Sequence, residues 1–489
     1  MPPDGGVGCD DCGRLPLTSI ATADRLKNVC AAVVLPAVTV LLFWRAGFFF
    51  IQDDWTALAQ MAENPLLRFL VLPDGEQWFP LCHLAFYGLI RTFGDRYSFL
   101  VLANCIGTGL NAFLFHVLAR RHLGFAKALT LSVVYSAAAA HHAIAWNSFY
   151  ICYVLSLGFL LGALLLTHEY ARFPSAGRLA GIGCCALCSV LSHNYTLLAL
   201  PVIPLYPIIA MPPGVGRAGR RAPAAMMGAV YVLFSVGYLS FAGSMAPASH
   251  NQAVFSSIPG PAYLVHWFSG SFLSPFLYLF WGHFHFPVWD YVVSITLFAL
   301  GVWVILRWGN SAEKRLAAWA CLFNSLPMLL VSLTRYTRPS GQAFVARYAV
   351  FTLLGALLLL GIAWTIVERK TPSRRWSTLP AVTLAILMIA GQAFSLPRWL
   401  DAYTRMSRAS LRFYQSLDAG KCSDPGFPDR PFNEFWMDVR IPLTGRQFLE
   451  IRRMLEAAAV PPEKDRGAGG TGPEIKRARL LSGPLEVDR

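Results

Sequence analysis

Directly beyond an apolar run at 29–50, long enough to cross a bilayer, the chain reads Asp53-Asp54-Trp55. A carboxylate held beside a reacting hydroxyl can take its proton, so an acidic pair at a membrane mouth is a candidate acid–base centre. Part of the pair has a plainer duty. Trp55, Leu58, Ala59 and Ala62 recur at helical spacing and Asn64-Pro65 stops them, which predicts a short helix capped by one of the aspartates. Asp54 immediately precedes that helix and is the natural cap. Asp53 is then a charge near the bilayer with no assigned partner, a costly arrangement read here as functional. Arg335, Arg338 and Arg347, followed by Tyr348, form a basic patch whose guanidinium forks suit a phosphate, although an arginine at a helix end also reaches toward headgroups by itself. His141 and His142 close an apolar run and could bond a phosphate or helix-end carbonyls. Glu76 follows the turn Pro73-Asp74-Gly75, where a glutamate is ordinary. His283 and His285 lack a third ligand nearby, and Cys9-x-x-Cys12 has no second pair, so neither is read as a metal site.

What must position these groups is a set of membrane helices. The 489 residues are 55% hydrophobic and 14% charged, with mean hydropathy +0.48, which excludes an ordinary soluble enzyme. The net charge of +14 sits in short clusters between apolar runs rather than on one face, so no nucleic-acid partner is expected. Most cysteines fall inside apolar runs as small hydrophobes. About eleven spans are predicted, at 29–50, 98–119, 125–142, 150–168, 179–193, 196–211, 225–243, 288–307, 316–334, 349–367 and 378–396. Clusters such as Arg120-Arg121 with Lys127, Arg217 with Arg220 and Arg221, and Arg369-Lys370 alternate with loops 143–149, 194–195 and 244–287, which hold no Lys or Arg. The positive-inside rule then puts the basic clusters in the cytoplasm and the acidic loop, 48–97, outside. Three parts are expected: a cytoplasmic tail at 1–28, a transmembrane domain at 29–396, and an extracytoplasmic segment at 397–489. In the last, Thr444 opens a helix carrying Phe448, Ile451 and Leu455 on one face, and the glycine-rich run after Pro461 reads as disordered.

The order of these motifs resembles the GT-C superfamily of membrane glycosyltransferases, in particular the protein O-mannosyltransferase branch and the tetratricopeptide-associated mannosyltransferases. The matching stretches are Phe50-Ile51-Gln52-Asp53-Asp54-Trp55, then Trp78-Phe79-Pro80-Leu81, Phe93-Gly94, Asn104, Arg120-Arg121 and His141-His142-Ala143-Ile144-Ala145-Trp146. Leu191-Ser192-His193-Asn194 stands where relatives carry Ser-Lys-Glu, and Arg347-Tyr348 where they carry an outward Arg-Tyr. The resemblance implies an all-α polytopic fold in a bacterial inner or plasma membrane. It also implies transfer of a sugar, with inversion, from a polyprenyl-phosphate-linked donor to a hydroxyl of a glycan, lipid or protein acceptor outside. Asp53 and Asp54 would then be the catalytic carboxylates, with Arg347, Tyr348, Arg335 and Arg338 on the donor phosphate. Glu76, Trp78, His141, His142, His193 and Asn194 would be further acceptor or donor contacts, and a divalent metal ion is an open expectation. The chemistry is sound on its own terms, because a general base activates the acceptor while cations stabilise the departing phosphate. A transporter or flippase of a lipid-linked glycan would need ionisable residues along its path, and the spans are nearly free of Asp and Glu. A non-catalytic membrane scaffold leaves the second aspartate unexplained.

Overall fold

The computed structural model describes residues 17–51, 53–72, 78–193, 199, 202–211, 215–245, 288–334, 346–371, 374–416 and 445–459. Among them every regular element is helical: α1 (Leu17–Phe43), α2 (Asp53–Glu63), α3 (Leu66–Val71), α4 (Pro80–Phe93), α5 (Tyr97–Leu123), α6 (Phe125–Ser136), α7 (His141–Ala145), a 3₁₀ turn (Ser148–Tyr150), α8 (Ile151–Arg172), α9 (Ala176–Ser192), α10 (Leu205–Ile209), α11 (Arg217–Met245), α12 (Val288–Trp308), α13 (Ser311–Thr334), α14 (Ala346–Lys370), α15 (Arg374–Ser416) and α16 (Gly445–Ala459). Four stretches of the described residues, Leu26–Phe43, Tyr97–Leu123, Ser148–Arg172 and Ala349–Lys370, are long and apolar enough to cross a bilayer.

The centre of the bundle is α5, packed against α1 on one side and α8 on the other. Gly109 permits the first contact, because a Cβ there would lie 2.3 Å from the Cα of Pro36 in α1. A second feature of α5 points at the site. Tyr97, Asn104 and Asn111 recur every seventh residue, so they share one face. Each reaches the chain that crosses in front of it: the Tyr97 hydroxyl lies within reach of the Trp146 carbonyl, Asn104 donates to the carbonyls of Ile144 and Asn147, and Asn111 donates to the Val154 carbonyl of α8 at 2.8 Å. The 27 residues of α5 rise about 40 Å, more than a hydrocarbon core. Its two ends differ in chemistry. At the far end Arg121 pairs with Glu169 of α8 at 2.6 Å, and the same end of the bundle holds Lys127 of α6 with Glu368 of α14 at 2.5 Å and Arg369 with Glu313 of α13 at 2.9 Å. The near end, at Tyr97, meets the acidic pair.

Several expected boundaries move. The first helix ends at Phe43 rather than 50, leaving 44–51 as non-helical chain. The span expected at 125–142 stops at Ser136, so His141 and His142 open the separate short helix α7 instead of closing a long one. Among the described residues of 196–211 only Leu205–Ile209 is helical, preceded by turn at 202–204, and Pro204, whose ring removes a backbone donor, stands just before it. The last expected span, 378–396, belongs to a 43-residue helix that passes Pro397 and runs to Ser416. The position 397 falls inside this helix. Helix α16 packs on α2 and α4 through Phe448, Ile451 and Leu455, all fully buried, the face expected from their spacing. The run after 461 and Cys9-Cys12 lie outside the described residues, as do His283 and His285.

Candidate active site

The acidic pair opens α2, and the two carboxylates have opposite surroundings. Asp54 is fully buried and accepts four hydrogen bonds. The Ser148 hydroxyl (2.7 Å) and the Phe149 N–H (2.8 Å) donate to Oδ1; the Tyr97 hydroxyl (2.7 Å) and the Ile51 N–H (3.1 Å) donate to Oδ2. The Ile51 bond reaches back three residues and closes the turn that starts the helix, so Asp54 is both a local cap and a long-range tie. Asp53, one residue earlier, is half-buried, and its Oδ2 accepts the Tyr150 hydroxyl at 2.9 Å.

Ser148 and Phe149, which donate to Asp54, and Tyr150, which donates to Asp53, come from one short stretch, 148–150, which is itself irregular and needs outside support. Asn104 of α5 supplies it by donating to the carbonyls of Ile144 (2.9 Å) and Asn147 (2.8 Å). Tyr97 lies 2.8 Å from the Trp146 carbonyl and accepts from the Ser148 N–H at 3.2 Å, while the Trp146 indole donates to the last carbonyl of α1, Phe43, at 2.6 Å. The polar stripe of α5 thus aims one loop at two aspartates.

Burial pushes the Asp54 carboxyl up to about 6 from an ordinary value near 3.8, against the four hydrogen bonds, which pull it down. Tyr97 can serve either protonation state. Its hydroxyl has one hydrogen and two acceptors in reach, Asp54 and the Trp146 carbonyl. With Asp54 ionised the hydrogen serves the carboxylate; with Asp54 protonated the carboxyl donates to Tyr97, which turns its hydrogen to Trp146. Both protonation states therefore keep a partner at Tyr97.

The other expected site residues divide into three groups. Trp78 and His193 border the same region: Trp78 stacks on Phe234 of α11 at 5.8 Å, and His193 lies 4.1 Å from the ring of Tyr153 and stacks on Phe79 at 6.1 Å. Tyr153 in turn contacts Tyr150, the partner of Asp53, at 5.3 Å and Phe351 of α14 at 6.1 Å. Arg347 and Tyr348 fall in the first turn of that helix, Arg347 one turn before Phe351; their side chains lie outside what the structure describes. His141 and His142 belong to the framework instead, each bonded to a nearby carbonyl, Tyr135 at 2.6 Å and Ala139 at 2.5 Å, with His142 stacked on Trp399 at 4.2 Å. Glu76, Asn194, Arg335 and Arg338 lie outside the described residues. Among the described residues no group of three or more His, Cys, Asp or Glu is placed to hold a metal ion, and protein donors already occupy the Asp54 oxygens.

Residue-by-residue reading missed Tyr97, Ser148 and Tyr150, which hold the carboxylates. The seven-residue spacing of Tyr97, Asn104 and Asn111 in an apolar span was the available signal for the first. Nothing in Asn147-Ser148-Phe149-Tyr150 marks it as the partner of a motif about a hundred positions away.

No protein-family model matches the chain, and no curated protein matches it. Among solved structures it is similar to ArnT from Cupriavidus metallidurans bound to undecaprenyl phosphate, at 13% identity over 90% of each chain with a TM-score of 0.48. The apo state of that ArnT gives 14% identity over 88% of this chain and 85% of the other, with a TM-score of 0.45. The Archaeoglobus fulgidus oligosaccharyltransferase tethered with an acceptor peptide gives 14% identity over 83% of this chain and 58% of the other, with a TM-score of 0.42. All three scores fall below 0.5, so the functional reading rests on the geometry and motifs of this chain.

Proposed function

We propose that the protein is a GT-C-type membrane glycosyltransferase that moves a sugar from a polyprenyl-phosphate-linked donor to an acceptor hydroxyl on the extracytoplasmic face, with inversion. The observation that carries this reading is the division of labour in the acidic pair. Asp54 spends its oxygens on four protein donors and fixes the loop, whereas Asp53 is half-buried at the edge of the same network, oriented by the Tyr150 hydroxyl. Asp53 is therefore the base: it takes the acceptor proton as the acceptor oxygen closes on the anomeric carbon and the bond to the phosphate breaks. The aromatic run Tyr150–Tyr153–Phe351 joins the Asp53 wall to α14 one turn from Arg347, which supports Arg347 as the cation facing the leaving phosphate. The motif order from Phe50 to Trp146 supports the same class.

The test is transfer of a labelled sugar from a synthetic polyprenyl-phosphate donor in proteoliposomes. Asp53→Asn keeps shape and removes basicity, so turnover should fall about 100- to 10,000-fold, or roughly 2.7 to 5.5 kcal/mol of transition-state stabilisation. Full turnover in that variant would remove the base and the mechanism with it.

A further inference from the structure

The chain between α1 and α2 raises a question of satisfaction. Residues Phe48–Ile51 are buried and non-helical, so their backbone groups cannot bond within a helix and need partners from elsewhere. Two partners come from more than 350 positions later. The Phe49 N–H donates to the Ser407 hydroxyl at 2.6 Å, and the Ser410 hydroxyl donates to the Phe50 carbonyl at 2.6 Å. Ser410 also accepts from the Trp55 indole at 2.9 Å, an N–H shared with the Phe50 carbonyl at 3.1 Å. Trp399, Tyr403, Ser407, Ser410 and Tyr414 recur at three- and four-residue steps and form one stripe along α15. Its upper half packs on the other wall of the site, Trp399 against His142 at 4.2 Å and Tyr403 against Trp146 at 5.1 Å. Its lower half and α16 close on the acidic segment, Tyr414 against Phe49 at 5.2 Å and Phe448 against Trp55 at 5.2 Å.

We infer that α15 and α16 form a clasp that sets the position of Asp53, with Ser407, Ser410 and Phe448 as positioning residues for the proposed transfer. This rests on the reading of Asp53 as the base. Phe50 is three residues from Asp53, so freeing its carbonyl moves the start of α2 directly. The loop that supplies Tyr150 leans on the same helix through Trp146, so both groups that orient Asp53 share one support.

Two readouts on the full-length protein in nanodiscs test the clasp. Ser410→Ala, Ser407→Ala and the milder Phe448→Leu should each raise hydrogen exchange at 48–55 about tenfold while exchange in α5 and α8 stays unchanged. In the transfer assay kcat should fall about tenfold with the donor KM within twofold. Unchanged exchange at 48–55, or exchange rising throughout the bundle, overturns the clasp; so does loosened exchange with full kcat. Asp53→Asn is measured alongside. If that variant alone keeps full turnover, the glycosyl-transfer reading fails, and the exchange arm still decides whether α15 and α16 hold this segment.

Discussion

Asp54 ties stability to pH. Its carboxyl titrates at about 6 in the folded chain because burial disfavours the anion, against an ordinary value near 3.8. Between those values the folded state holds a proton that the unfolded state releases. The contribution is fully present below about pH 4 and is lost as pH rises through about 6, an amplitude of about 3 kcal/mol. Asp54→Asn has nothing to titrate, so the difference in thermal midpoint between variant and wild type should shift in the variant's favour from pH 4 to pH 7. A pH-independent difference would show that Asp54 is not shielded as described. For Arg347 the expectation is chemical: Arg347→Lys keeps the charge but loses the planar fork that grips a phosphate at two points, so turnover should fall at least tenfold with normal expression. Unchanged turnover would take Arg347 off the phosphate. At this scale the sequence was partly legible. The capping duty of Asp54 was legible from its position, but its four donors were not, since three of them lie 43 to 95 positions away.

Among the elements, α5 carries two polar residues, Tyr97 and Asn104, that hold the loop of the site. Asn104 is buried in a span and donates twice, to the carbonyls of Ile144 and Asn147. Asn104→Ala would leave the Ile144 carbonyl without that donor, at about 1–3 kcal/mol, while the Asn147 carbonyl keeps the Tyr150 N–H at 3.1 Å. The thermal midpoint should drop, and hydrogen exchange at 144–150 should rise more than in α8; equal rises in both would mean that Asn104 stabilises the bundle without aiming the loop. Element identity was legible where period and stop signals were strong, as in α2, with Trp55, Leu58 and Ala59 buried and Asn64-Pro65 just beyond its end. It failed where hydropathy alone was used. The window at 196–211 is apolar enough for a span, yet its prolines leave only five helical residues described there. At 378–396 the window marks only part of an element, because α15 continues past Pro397 on a face whose Trp399, Tyr403 and Tyr414 pack against the site.

At the scale of the molecule, the acidic pair and a set of ion pairs stand at opposite ends of α5. Tyr97, at the start of α5, touches the acidic pair; Arg121, near its end, closes an ion pair with Glu169, about 36 Å further on by helical rise. The ion pairs of Lys127 with Glu368 and Arg369 with Glu313 join helix ends on that same side. The positive-inside rule, applied to the Lys and Arg of these helix ends, predicts that they face the cytoplasm and that the acidic site faces the other side. Such a site suits an acceptor that arrives from outside and a donor whose phosphate rests at headgroup level. Single cysteines test the assignment against the wild-type background of 11 cysteines. Placed at Gly75, in the acidic loop, and at Ser340, in the segment before α14, they should react with an impermeant maleimide in intact cells. A cysteine at Gly177, exposed at the start of α9 beside Arg178, should react only after the membrane is opened. Labelling of Gly177 in intact cells would invert the topology. Protection of Ser340 with reaction at Gly75 would part Arg347 from Asp53, and no phosphate could then lie between them.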